Sequence, residues 1–124
     1  MYEYRCKVVD VYDGDTLTLD VDLGFNITHR IKVRLSEIDT PEVRGVERED
    51  GLKAKDFVLQ WVSNLESSAL EAENDWPFIV HTSKTGKFGR WLADIVPNVA
   101  PATPSLVASL KQAGHDTGDW LDWV

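Results

Sequence analysis

The chain has 124 residues, with 13 Lys and Arg against 21 Asp and Glu, a formal charge of −8 and a single cysteine, Cys6. That length makes one domain, 1–124, able to bury roughly two-thirds of the surface its unfolded state exposes, and a lone cysteine excludes an internal disulfide. No segment is apolar enough for a membrane span or for the core of a signal peptide, so a soluble chain without a membrane partner is expected, with a reducing, cytoplasmic setting favoured. In chain order, residues 4–12 (YRCKVVDVY) are rich in β-branched and aromatic types, and Asp13-Gly14 supplies a turn. Residues 16–22 then set Leu17, Leu19 and Val21 against Thr16, Thr18 and Asp20, a half-buried strand closing a hairpin. After Gly24, residues 29–35 (HRIKVRL) alternate again, with Ile31, Val33 and Leu35 on one face and Arg30, Lys32 and Arg34 on the other. Pro41 pushes Thr40 toward extended geometry and ends this third strand at IDTPE.

Asp50 is the expected N-cap of a helix in which Ala54, Phe57, Val58, Trp61, Val62 and Leu65 recur at three- and four-residue spacing, a stripe that reads as core. The acidic stretch LESSALEAEND continues the helix or forms a loop. WPFIVHT (76–82) and FGRWLADIV, joined by a turn at Thr85-Gly86, form a second hairpin with Trp91 and Ile95 packed inside. Pro97, Pro101 and Pro104 mark a loop, and Thr103 as N-cap with Pro104 in the first turn opens a short helix ended by Gly114. Five short strands are too few for a sandwich, and even hairpin spacing favours a small closed barrel, mainly β with helices (α+β), one helix after strand 3 and another after strand 5.

The charge of −8 argues at face value against a polyanionic partner. Its distribution matters more than the sum. Lys and Arg are missing between Glu66 and Ser83 and after Lys111, whereas Lys84, Lys87 and Arg90 come with no acid among them, so an acidic body can carry a local positive site.

Three acids stand out: Asp13, Asp15 and Asp39. Asp-Gly-Asp alone reads as a turn. Asp15, however, shares the parity of Leu17 and Leu19, and Asp39 that of Val33 and Leu35, so both point to the apolar side of their strands where no bulge intervenes. A carboxylate there needs hydrogen bonds or a cation. A hard divalent ion satisfies both, and two carboxylates with a backbone carbonyl and waters suit Ca²⁺ better than a transition metal, in the absence of His or Cys clusters. Arg30 and Arg44 read as surface charges. Arg34 and Arg90, near such an ion, suit bidentate pairing with phosphate oxygens. Glu42, on the loop beyond Pro41, is either an exposed loop acid or a base toward a water. Metal, two cations and a base are the parts that phosphodiester hydrolysis requires.

VYDGDTLTLD, VRLSEIDTPE, the helix opening GLKAKDF and KFGRWLADI, in this order and spacing, resemble the staphylococcal-nuclease-like (thermonuclease) family over residues 9–114 or so. DGD alone is weak, but the combination of DGDT, R-x4-DTPE and GR is specific. The resemblance implies a five-stranded OB-fold barrel and a metal-dependent endonuclease hydrolysing DNA or RNA phosphodiesters. It implies Asp15, Asp39 and the Thr40 carbonyl as Ca²⁺ ligands, where the residues alone would equally admit Mg²⁺ or Mn²⁺. Glu42 would then be the general base, Arg34 and Arg90 the phosphate clamps, and Lys87 and Phe88 further substrate contacts. The rival expectation is a catalytically inactive barrel that binds nucleic acid or a protein. In the acidic, Trp-rich tail 115–124, Trp120 and Trp123 are candidates to stack on a base, but the expected role is packing, with Leu121, on the barrel of a monomer or on a second chain in a dimer, because the flanking Asp116, Asp119 and Asp122 would repel a polyanion. Glu37 falls at a parity otherwise apolar, with no evident reason.

Overall fold

The structure, a computed structural model, describes residues 2–85, 90–98 and 104–118, and for residues 84–85 the backbone alone. Five strands, β1 (Tyr2–Asp13), β2 (Thr16–Asp22), β3 (Thr28–Leu35), β4 (Phe78–Thr85) and β5 (Trp91–Pro97), close a barrel in the order β1-β2-β3-β5-β4. Helix α1 (Arg48–Glu71), entered through a 3-10 turn at Gly45–Glu47, lies between β3 and β4, and α2 (Leu106–Gln112) follows β5. This is the OB-fold-like α+β barrel that the strand pattern predicts, with both helices at the expected places in the chain order.

The barrel closes because β1 serves two neighbours. Its first half pairs with β4 (Tyr2↔Thr82 to Cys6↔Phe78) and its second with β2 (Cys6↔Val21 to Asp13↔Thr16), with irregularities at Val8/Asp10 and Val11/Asp13. Such bulges sharpen the bend of a strand that must curl around a small barrel. On the far side, β3 and β5 pair in parallel over Val33↔Trp91, Arg34↔Leu92 and Leu35↔Ala93. That pairing brings Arg90, the residue just before β5, to the end of β3 that carries Arg34.

Alternation puts Leu17, Leu19 and Val21 of β2, Val33 and Leu35 of β3, Phe78 and Val80 of β4, and Ala93 and Ile95 of β5 inside. Helix α1 covers one end with Ala54, Val58 and Val62, and α2 adds Leu106, Val107 and Leu110. Trp61 stacks on Phe78 at 5.6 Å between ring centroids, so the stripe that the spacing predicts is the face that seals the barrel. The helix continues through LESSALE to Glu71 and stops in a Schellman turn: Asn74 N donates to Ala69 O (2.8 Å) and Glu73 N to Leu70 O (3.1 Å).

Several expectations need correction. Helix α1 begins at Arg48, with Glu47 rather than Asp50 at its N-cap, because the 3-10 turn feeds directly into it and leaves Asp50 in the first turn. Ser105, not Thr103, caps α2, its side chain accepting from Ala108 N at 3.1 Å; Pro104 therefore precedes the cap, and Thr103 lies outside the described residues. Ile95 is buried, but Trp91, the first residue of β5, stands at the strand's open end and is 37% exposed. WPFIVHT enters β4 only at Phe78; Trp76 lies outside the barrel ladder, with the Lys7 ammonium 4.9 Å over its ring. No helix among the described residues is long and apolar enough to cross a membrane.

Candidate functional site

The site forms where three chain segments meet: the β1–β2 turn, the exit of β3 and the first turns of α1. Two glycines permit the approach. A Cβ on Gly14 would stand 2.7 Å from Thr40 Oγ1 and 2.9 Å from Ala54 Cβ, and one on Gly51 would stand 1.9 Å from Glu42 O. The turn that carries Asp15 thus seats on Thr40, and α1 seats on the loop that carries Glu42, each through bare backbone.

Asp15 is buried, as its parity predicts. Its carboxylate accepts from Thr40 N at 2.9 Å and from Thr16 Oγ1 at 3.1 Å, and Arg34 Nη2 lies 3.2 Å away. Burial pushes the carboxyl up to about 6; the neighbouring Asp13 carboxyl adds to the rise, while the Arg34 guanidinium and the Thr40 amide oppose it.

Asp39 does not lie inside as its parity predicts. β3 ends at Leu35, and Glu37 adopts a left-handed conformation (φ 57°), which turns the chain so that Ile38 and Thr40 take the inward positions and Asp39 lies half-buried between them. The same turn accounts for Glu37, whose place in the alternation it interrupts. Turned this way, Asp39 meets Arg34 Nη2 at 3.0 Å. Arg34 is itself largely covered, and its Nη1 donates to the Leu35 and Ile38 carbonyls, each at 2.9 Å, so the guanidinium is fixed by the turn it helps to hold.

Arg90 reaches Thr16 Oγ1 at 3.5 Å, the same hydroxyl that donates to Asp15. Arg90 and Glu42, with Tyr12, Asp13, Thr16, Val43 and Arg44, line a cleft of ≈ 380 Å³. A smaller one of ≈ 250 Å³ adjoins it through Tyr12, Thr16 and Arg90 and adds Asp10, Thr18 and Lys32. Asp15, Arg34, Asp39 and Thr40 are therefore one hydrogen-bonded group, and Arg90 and Glu42 share the cleft beside it. Lys87 and Phe88 lie outside the described residues, as do Trp120, Leu121 and Trp123 of the tail.

Sequence reasoning missed four contributors. Arg44, read as a surface charge, lines the cleft and donates to the Tyr12 hydroxyl. Thr16 links Asp15 to Arg90, and the DGDT motif held that signal in its last letter. Asp116 and Thr117 reach Asp39 from the far end of the chain: Asp39 N donates to Asp116 Oδ1 at 3.1 Å, and Thr117 Oγ1 donates to Asp39 Oδ2 at 3.1 Å. No local pattern announces a contact across that separation.

The predicted cation site can be tested on these contacts. Among the described residues, no group of three or more His, Cys, Asp or Glu is gathered around one point as a metal cage, and Arg34 Nη2 bridges the two carboxylates. The donor chemistry nonetheless fits a hard cation. Asp15 and Asp39 converge on a single positive atom, Asp15 is held in an environment that disfavours its charge, and the buried Thr40 Oγ1 has no hydrogen-bond partner among the described residues. Compared with protein-family models and with curated proteins, the chain matches none.

Proposed function

We propose that the chain is a metal-dependent nuclease of the thermonuclease-like kind, hydrolysing phosphodiester bonds in DNA or RNA. The observation that carries this reading is the convergence, from three separate segments, of Asp15 and Asp39 on Arg34, with Arg90 and Glu42 on the adjoining cleft. Asp15, Asp39 and the Thr40 carbonyl would hold Ca²⁺, with Mg²⁺ or Mn²⁺ as substitutes. When bound, such an ion supplies charge neutralisation at phosphoryl oxygens.

The chain's own residues do the rest. Arg90, at the cleft wall, places a permanent positive charge where a phosphate entering the cleft would sit, and its planar fork can pair with two of the oxygens. Arg34 holds the two carboxylates in register and is the second guanidinium of the proposed site. Glu42, exposed on the cleft rim, can take a proton from a water in the cleft. Arg44 and Tyr12, joined by a hydrogen bond, line the same cleft. The acidic body limits affinity for long duplexes, and the cations on the cleft, Arg44, Arg90 and Lys32, are what would attract a phosphate there. The chain acts as a monomer in this reading.

A second reading is favoured by one observation. Every carboxylate oxygen of Asp15 and Asp39 already accepts a hydrogen bond or ion pair within the chain, which is what a binding module without catalysis would use to stabilise the same turn. Incubating the protein with end-labelled single- and double-stranded DNA and RNA, in Ca²⁺ or in chelator, separates the two. Ca²⁺-dependent products with defined ends support the nuclease; retention of intact oligonucleotide without cleavage supports the binding module.

A further inference from the structure

Helix α2 ends in a second Schellman turn, with Gly114 N donating to Lys111 O (3.1 Å) and His115 N to Leu110 O (3.0 Å). The turn reverses the chain toward the barrel, where the His115 ring lies 5.2 Å from Phe57 of α1. Residues 116–118 then run along Asp39. Thr117 N donates to Asp39 O at 2.7 Å, Asp39 N donates to Asp116 Oδ1 at 3.1 Å, and Gly118 N donates to the same Asp116 oxygen at 3.0 Å. The Thr117 hydroxyl donates to Asp39 Oδ2, the oxygen opposite the one facing Arg34.

Asp39 needs such support. It follows the left-handed Glu37, beyond the last residue of β3, so no sheet ladder fixes its backbone. A carboxylate on an unsupported loop rotates freely, and a ligand or an ion-pair partner then bears the entropic cost of orienting it. The clasp removes that freedom at three points: the amide, the carbonyl and one carboxylate oxygen. Two features suit it to a functional carboxylate. Thr117 is neutral, so it fixes the carboxylate plane without cancelling its charge. Asp116 directs one oxygen to two backbone amides, those of Asp39 and Gly118.

We infer that Asp116 and Thr117 are positioning residues of the site, holding the Asp39 carboxylate in the orientation that a cation or a phosphate-binding Arg34 requires. This rests on the nuclease reading above. Residues 116–118 are thereby a working part of the site.

The test compares Thr117→Val, Thr117→Ser, Asp116→Ala and Asp116→Asn in the full chain. Three quantities are read: Ca²⁺ affinity by calorimetry without substrate, kcat and KM on a labelled single-stranded oligonucleotide, and the thermal midpoint. Thr117→Val should weaken Ca²⁺ binding and lower kcat, each about tenfold, with KM little changed, and Thr117→Ser should restore most of both. Equal affinity and kcat in wild type and Thr117→Val would overturn the inference. So would equal impairment in Thr117→Val and Thr117→Ser accompanied by a lower midpoint, since that reports packing alone. Wild-type protein that neither binds Ca²⁺ nor cleaves would sink the nuclease reading instead. The clasp is then judged by hydrogen exchange at the Asp39 amide: faster exchange in Asp116→Ala than in Asp116→Asn upholds it, and identical exchange removes it.

Discussion

Asp15 and Asp39, 24 positions apart in sequence and on different segments, meet one nitrogen: Arg34 Nη2 lies 3.2 Å from the first and 3.0 Å from the second. Two acids that each face a partly dry environment are reconciled by one guanidinium, which a fixed backbone turn holds in place. The arrangement is self-supporting, and its parts carry different loads.

Arg34 and Arg90 should therefore separate on mutation. Arg34 is the largely buried partner of two carboxylates, and Arg34→Met should cost about 3–5 kcal/mol of stability by leaving them uncompensated, besides lowering turnover. Arg90→Met should cost clearly less stability than Arg34→Met and slow cleavage about 10² to 10³-fold. Denaturant unfolding alongside initial rates checks both; equal stability losses in the two variants would contradict the division of roles.

Gly51→Ala reverses the usual sign of a helix substitution. In an open helix the change gains roughly 0.5–1 kcal/mol. Here the new Cβ would stand 1.9 Å from the Glu42 carbonyl oxygen, so the loop or the helix must move. The variant should unfold at lower denaturant than wild type and cleave more slowly, because the displaced segment carries Glu42. A stabilised variant with full activity would show that α1 does not press on this loop.

The buried Asp15 carboxyl sets a pH dependence. Its pKa is raised to about 6 from the ordinary carboxylate value, so the folded state binds the proton more tightly than the unfolded chain. Its contribution to stability is greatest when the group is protonated and is lost as pH rises through about 6. Relative to wild type, Asp15→Asn should gain on the order of 1–3 kcal/mol between about pH 4 and about pH 8, measured by denaturant unfolding. A difference between the two proteins that stays constant with pH would contradict the assignment.

Cys6 supplies a probe of global opening. It is fully buried where β1 changes partner from β4 to β2, and burial pushes its thiol up to about 12. A thiol-specific reagent at neutral pH should label the native chain only at the rate of unfolding, and promptly in denaturant. Fast labelling of native protein would mean that this seam opens locally.

The barrel was legible because alternation is local: Leu17, Leu19 and Val21, or Val33 and Leu35, declare their shared face within a few residues. Ala54, Phe57, Val58, Trp61 and Val62 do the same for α1. Asp15 followed from that parity. Asp39 did not, because a single left-handed residue, Glu37, resets which side faces in, and a glutamate does not advertise such a turn. Trp91 misled for a related reason, as parity says which face a side chain is on but not whether the strand's end is covered. The contacts of Gly14 with Thr40, of Gly51 with Glu42 and of Thr117 with Asp39 depend on how segments dock, which no spacing encodes.

The most direct measurement is the cleavage rate of a labelled oligonucleotide in Ca²⁺ by wild type and Glu42→Gln side by side. Wild type should cleave, and the variant should do so more slowly by about 10² to 10⁴-fold with no loss of thermal stability, since Glu42 is exposed on the cleft rim. Intact oligonucleotide after incubation with wild type, or equal rates from the two proteins, would contradict the proposed mechanism.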